Sequence, residues 1–123
     1  MAKNNDTGKW GEDIAADILA SEGYAICERN WRAGHDEIDI VAMRGKSLVF
    51  AEVKTRTDPG VDPLEAVDNK KIRRLAHAAL AYIRSKNLPH YPQFDLFAIT
   101  GTPGDYKVEH IPDAFDVPVK TYR

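Results

Sequence analysis

Apolar residues recur along this 123-residue chain in two rhythms, one typical of helices and one of strands. At helical spacing, Ile14, Ala15, Ile18 and Leu19 predict a first helix, capped by Asp6 or Thr7, running to about Ser21 and ended by Gly23. Ile72, Leu75, Ala76, Ala79 and Ile83 form a second stripe. It predicts a helix over about 68–86, with Lys70, Arg73, His77 and Arg84 on the far side. Shorter apolar runs bounded by glycine, proline and asparagine predict strands over 24–31, 94–100 and 106–111, and two more as the arms of a hairpin within 36–56. Residues 57–63, rich in Pro, Gly and Asp, predict a loop. The order helix, three strands, helix, two strands gives an α/β fold, a mixed β-sheet flanked by helices. One domain is expected over 1–123, with residues 1–6 loose and residues 112–123 either packed as an arm or mobile.

The hairpin breaks its own pattern. Ile38, Ile40, Val41 and Ala42 make one arm, and Leu48, Val49, Phe50, Ala51 and Val53 the other, around the turn residues Arg44-Gly45-Lys46. Alternation puts Leu48, Phe50, Glu52, Lys54 and Arg56 on one face. Burying Glu52 and Lys54 among such neighbours costs on the order of several kcal/mol each unless they are paired. The hairpin register decides how Asp39 relates to them. A two-residue loop makes Asp39 face Phe50, diagonal to Glu52, and a four-residue loop makes it face Glu52. Either puts both carboxylates on one face, roughly 4.5–8 Å apart at Cβ. Converging carboxylates repel, and a hard cation such as Mg²⁺ relieves them. A lysine two residues along the strand can hold or activate a water there. The bland alternative is a surface hairpin with a solvated Glu52–Lys54 ion pair. Glu12 lies in the row of Ala15, Ala16 and Leu19 and leans inward, although a first-turn Glu favoured by the helix dipole reads equally well. Lys71, at the start of the second helix, opposes the dipole and needs an anionic partner or solvent.

Taken together, Gly8, Gly11-Glu12, Gly23-Tyr24, Arg29-Asn30-Trp31-Arg32, Glu37-Ile38-Asp39 and Phe50-Ala51-Glu52-Val53-Lys54-Thr55-Arg56 carry a more specific signature. Over residues 8–100 the chain resembles the YraN-type family of small bacterial endonuclease-like proteins. That family falls in the PD-(D/E)xK nuclease superfamily and is similar to archaeal Holliday-junction resolvases. The resemblance implies a restriction-endonuclease-like core (α-β-β-β-α-β-β) and a Mg²⁺- or Mn²⁺-dependent endonuclease acting on DNA, branched or damaged. It implies Asp39, Glu52 and the Val53 carbonyl as metal ligands, and Lys54 as the group that positions the attacking water and stabilises the hydroxide. Glu12 becomes an accessory acid. Lys71 stands where the family has a lysine and joins Arg56 and Arg74 as candidate phosphate contacts. The family usually has Gly before Glu37-Ile38-Asp39. Asp36 departs from this, either altering the strand entry or adding an acid near the metal.

Charge changes the picture only locally. The net charge of −2 argues against a generic, charge-driven nucleic-acid binder. Yet residues 54–86 carry eight Lys/Arg against four Asp/Glu, while residues 1–23 carry two against five, so the first segment can meet phosphates. Cys27 is the only cysteine, which excludes an intrachain disulfide and points to a reducing compartment; in its apolar stretch it is expected to be buried. The histidines lack zinc spacing. Arg29 and Arg32 are candidate substrate contacts or solvated strand-end arginines, and Asp95 is expected to make a structural hydrogen bond. The N-terminus lacks a signal-peptide core and no run approaches the ~20 apolar residues of a membrane span. A cytoplasmic protein with no membrane partner is expected, with a homodimer as one assembly. Two other classes stay open, a non-catalytic nucleic-acid-binding module and a partner-binding adaptor in which the acids and lysine are structural ion pairs.

Overall fold

The β-branched and aromatic runs form five strands that lie in the sheet in chain order. The computed structural model describes residues 2–58, 60 and 62–115, with side chains from Lys9 onward. Its elements are α1 (Ala2–Ser21), β1 (Ala25–Ala33), β2 (Asp36–Arg44), β3 (Ser47–Arg56), a 3₁₀ turn (Pro63–Ala66), α2 (Asn69–Lys86), β4 (Pro92–Thr102) and β5 (Asp105–Ile111). Neighbouring strands run antiparallel except β3 and β4, which run parallel because α2 carries the chain back across the sheet. This is the mixed, helix-flanked α/β fold expected.

The helices take opposite faces. On one, Leu48, Phe50, Phe94 and Leu96 pack against Leu75, Ala79, Tyr82 and Ile83 of α2. On the other, Ile40, Ala42, Val49, Ala51 and Phe97 pack against Ala15, Ala16 and Leu19 of α1. Tyr82 meets Trp31 and Phe50 edge-on, with ring centroids 5.1 and 5.9 Å away. Asp95, buried on β4, accepts hydrogen bonds from Gln93 Nε2 and the Asp113 N–H and lies 2.8 Å from His110 Nε2, the structural role expected of it. Among the described residues no helix is long and apolar enough to cross a membrane.

Several boundaries differ from expectation. α1 begins at Ala2, not at Asp6 or Thr7, because no proline interrupts residues 2–7 and adding helical residues is cheaper than nucleating them. It ends as expected: Gly23 takes a φ of 93°, with the Tyr24 N–H bonded to the Leu19 carbonyl and the Gly23 N–H to that of Ala20. The predicted 57–63 loop contains the start of the 3₁₀ turn, whose Asp62 side chain accepts from the Leu64 N–H. α2 starts where expected, capped by Asp68, which accepts from the Lys71 N–H. Residues 112–115 are not a loose end: the Ala114 N–H bonds the Phe94 carbonyl and Phe115 is buried. The rest of that expected arm lies outside the described residues. Cys27 is exposed, contrary to expectation, because it sits in a register shift of β1 between Ile26 and Glu28.

Candidate active site

The hairpin turn has two residues, Gly45-Lys46, since Arg44 pairs with Ser47. The pairs then run to Ile40 with Ala51 and stop. Asp39 and Glu52 are the next positions in that register. The facing arrangement expected of a four-residue loop is therefore produced by a two-residue loop shifted one residue along.

The ladder stops because the neighbouring strands change faces there. Ile40 packs on the α1 side and Ile38 on the α2 side, although residues two apart normally share a face. In β1 the same reversal separates Arg29, which bonds Asp13 of α1 at 2.8 Å, from Trp31, which packs on Tyr82 of α2. Asn30 between them has a φ of 55°, a conformation that asparagine tolerates better than most residues. The pairs Arg29–Ile40 and Trp31–Ile38 bracket Asn30 and Asp39. Asp39 thus sits where β2 parts from β3, and its Oδ2 accepts the Val53 N–H at 2.8 Å. A side chain has replaced a strand carbonyl.

Three acids surround this opening. Glu52 comes from the α2 side and is buried, its side chain 5% exposed. Lys54 Nζ and Lys71 Nζ lie 3.7 and 3.5 Å from the same oxygen, Glu52 Oε2. Glu12 reaches in from α1, bonded by Asn30, with Arg29 Nη2 at 3.6 Å from its Oε1. Burial, then the charge of Glu52, pushes the Asp39 carboxyl up to about 7, against the Val53 N–H and Lys71. Burial, then the charge of Asp39, raises Glu12 as well. No three His, Cys, Asp or Glu side chains among the described residues form a ready-made metal-ligand group. What the opening offers a cation is two carboxylates. It also offers the Val53 carbonyl, which leaves the strand on the same side as the Val53 N–H.

Gly11 makes this approach possible. A Cβ there would run into Thr55 Oγ1 of β3, so with Thr55 in place a glycine lets α1 cross closely and present Glu12. Gly11→Val should cost about 1–3 kcal/mol by overpacking. Urea titration should show part of that loss recovered in Gly11→Val/Thr55→Ala, which removes the obstructing oxygen. No recovery would place the constraint elsewhere.

The other expected site residues fall around the opening. Lys71 joins the cluster, and Arg74 is exposed one turn along the same helix. Arg56 donates from Nε to Thr100 Oγ1 at 3.3 Å. With Ala98, Thr100, Asp105, Lys107 and Glu109 it lines a groove of about 510 Å³. The groove adjoins Lys54, whose partner on β4 is Ala98. Arg32 pairs with Glu37 at 3.9 Å, and Arg29 is occupied by Glu12 and Asp13. Asp36 turns to α2, its Oδ2 2.9 Å from His77 Nδ1. Asn30 and Glu37 are site neighbours to which the sequence pattern alone assigns no role. The available signal for Asn30 was an asparagine inside an otherwise strand-like run.

A family model described as "Uncharacterised protein family UPF0102" matches residues 11–99. A UPF0102 protein of Bacteroides fragilis is 43% identical over 120 residues, 97% of this chain and 99% of its own length. One from Flavobacterium psychrophilum is 41% identical over 117 residues, covering 94% and 98%. One from Syntrophotalea carbinolica is 43% identical over 114 residues, covering 89% and 91%.

Proposed function

Starting from the chain's membership of the uncharacterised protein family UPF0102, the YraN type, we propose that it is a Mg²⁺- or Mn²⁺-dependent endonuclease hydrolysing DNA phosphodiesters, on branched or damaged DNA. The observation that carries this reading is that Asp39 and Glu52 fall at facing register positions at a break in the sheet, close enough for the charge of Glu52 to raise Asp39, with Lys54 and Lys71 on Glu52. The raised Asp39 carboxyl marks an electrostatic deficit that a hard, oxygen-seeking cation relieves. The donor set fits such an ion, with Asp39, Glu52 and the Val53 carbonyl as its protein ligands and water completing the shell. When bound, the cation supplies Lewis-acid charge at a phosphoryl oxygen and acidifies a water.

The chain's own residues do the rest. Lys54, its side chain 41% exposed, reaches out from β3 beside Glu52 and holds the attacking water by donating to it. Glu12 orients that water or an outer-shell water from the α1 side. Lys71, Arg74 and Arg56 take backbone phosphates, with the groove at Arg56 and Lys107 continuing the DNA path across β4 and β5.

A cleavage panel of single-stranded, duplex, flapped and four-way DNA with Mg²⁺, Mn²⁺ or EDTA tests the reading. Cleavage that requires metal and is lost in Glu52→Gln is the expected result. No cleavage but salt-sensitive binding would leave a binding module, and neither would favour the adaptor. Binding should depend little on sequence and fall with salt. Neutralising Lys71 or Arg74 should each reduce the duplex salt slope by about 0.9, one phosphate contact apiece. Filter binding in Ca²⁺ from low to moderate salt reads this directly, and an unchanged slope would remove that residue from the interface.

A further inference from the structure

We propose that Lys71 is a displaceable counter-ion: it compensates Glu52 until a divalent cation takes that carboxylate oxygen, and the released ammonium then holds a substrate phosphate. This rests on Glu52 being a metal ligand, as read above. Two ammonium groups approach one oxygen, Glu52 Oε2, at 3.5 and 3.7 Å. Both distances exceed a close hydrogen bond, so neither lysine is locked in place. A cation coordinating Oε2 at ~2.0–2.1 Å would stand close to both ammoniums and repel them. They differ in the element that carries them and in where rotation takes them. Lys54 is carried by β3 itself, two residues from Glu52 and paired with Ala98 of β4. Lys71 comes from the first turn of α2, with its side chain 36% exposed and its backbone N–H already held by Asp68. Outward rotation takes its ammonium toward exposed Arg74, where a helix N-terminal turn and a guanidinium together favour an anion.

Three consequences separate this from a fixed ion pair. Removing Lys71 frees the metal site of a competitor, so metal binds more tightly. The same change removes a phosphate contact, so DNA binds more weakly. It also uncouples the two, because metal no longer releases a group that DNA uses.

Calorimetry with Mn²⁺ on the full chain, without DNA, tests the first consequence in Lys71→Met, Lys71→Arg, Lys70→Met and Glu52→Gln. Lys70 is the exposed neighbour on α2 and carries the same charge change away from Glu52. Lys71→Met should raise Mn²⁺ affinity about tenfold, Lys70→Met less than about twofold, and Lys71→Arg should stay near wild type. DNA binding with and without Ca²⁺ tests the rest. Ca²⁺ should tighten DNA binding in wild type and Lys70→Met, and that tightening should largely vanish in Lys71→Met. Equal gains in Mn²⁺ affinity for Lys71→Met and Lys70→Met would overturn the proposal, leaving a diffuse field effect. So would unchanged Ca²⁺ coupling in Lys71→Met. If Glu52→Gln binds Mn²⁺ as well as wild type does, the metal-site reading itself fails, a result distinct from either.

Discussion

Lys54→Ala is expected to cut the DNA cleavage rate by about 10²–10⁴-fold, the usual contribution of a residue that positions or activates a nucleophile. Its DNA affinity should stay near wild type, and its Mn²⁺ affinity should not fall but rise, because Lys54 Nζ, 3.7 Å from Glu52 Oε2, also repels a cation there. The structure makes this variant informative, because it isolates one contribution. The strand backbone is untouched, so the β3–β4 pairing of residue 54 with Ala98 survives. Glu52 keeps a cation, since Lys71 remains 3.5 Å from the same oxygen. Lys54 itself is substantially exposed, and buried Glu52 still has Lys71 to compensate it. The fold should therefore tolerate its loss. Single-turnover kinetics on the best substrate of the panel, with thermal melts alongside, give the answer. A cooperative melt near that of wild type with lost cleavage supports the mechanism. A collapsed melt would mean Lys54 neutralises a buried acid and nothing more, and equal cleavage rates would send the activity to another site or a contaminant.

Where each side chain's surroundings follow from local periodicity, the sequence was enough. The α2 stripe, the hairpin arms, the flanking helices and the burial of Glu52 all follow from which positions repeat every second or fourth residue. A buried Glu52 also demands a compensating partner, and the structure supplies Lys54 and Lys71. What periodicity cannot show is where it is interrupted. Positive φ at Asn30 reverses the faces of β1, and β2 reverses opposite it, so Asp39 lies in a gap between strands and not on a regular face. The turn was ambiguous for a related reason. Gly45 can occupy either central position of a two-residue loop. Gly45 has positive φ and Lys46 does not, which suits glycine first, as in a type II′ turn, and moves the register by one residue. Cys27 followed the same logic, its apolar neighbours hiding a bulge that turns it outward. Glu12 needed a tertiary fact, the close crossing at Gly11 and Thr55, which a motif containing Gly11-Glu12 hints at but cannot explain.

Asp39→Asn should abolish Mn²⁺ binding and, in EDTA, make the protein more stable than wild type at pH 8. Folding moves the Asp39 carboxyl from its ordinary value of 3.8 up to about 7, chiefly by burial and then by the charge of Glu52. A raised carboxyl binds its proton more tightly in the folded state than in the unfolded one. Its contribution to stability is therefore greatest below about pH 4, falls between pH 4 and pH 7, and is flat above. A tenfold difference in proton affinity corresponds to about 1.4 kcal/mol, so a destabilisation of a few kcal/mol above pH 7 is the appropriate expectation. Asparagine cannot ionise, and its amide oxygen can still accept the Val53 N–H, so the variant keeps the contact and loses the repulsion. The stability difference between variant and wild type should widen from pH 4 to pH 7 and then level off. Urea titrations at pH 4.5, 6 and 8 in EDTA measure it. Adding Mn²⁺ at pH 8 should then stabilise wild type by mass action and leave Asp39→Asn unmoved. A variant less stable than wild type at pH 8 without metal would show that the carboxylate serves the fold, as an acceptor that an amide cannot replace, and the metal reading of Asp39 would lose its electrostatic basis.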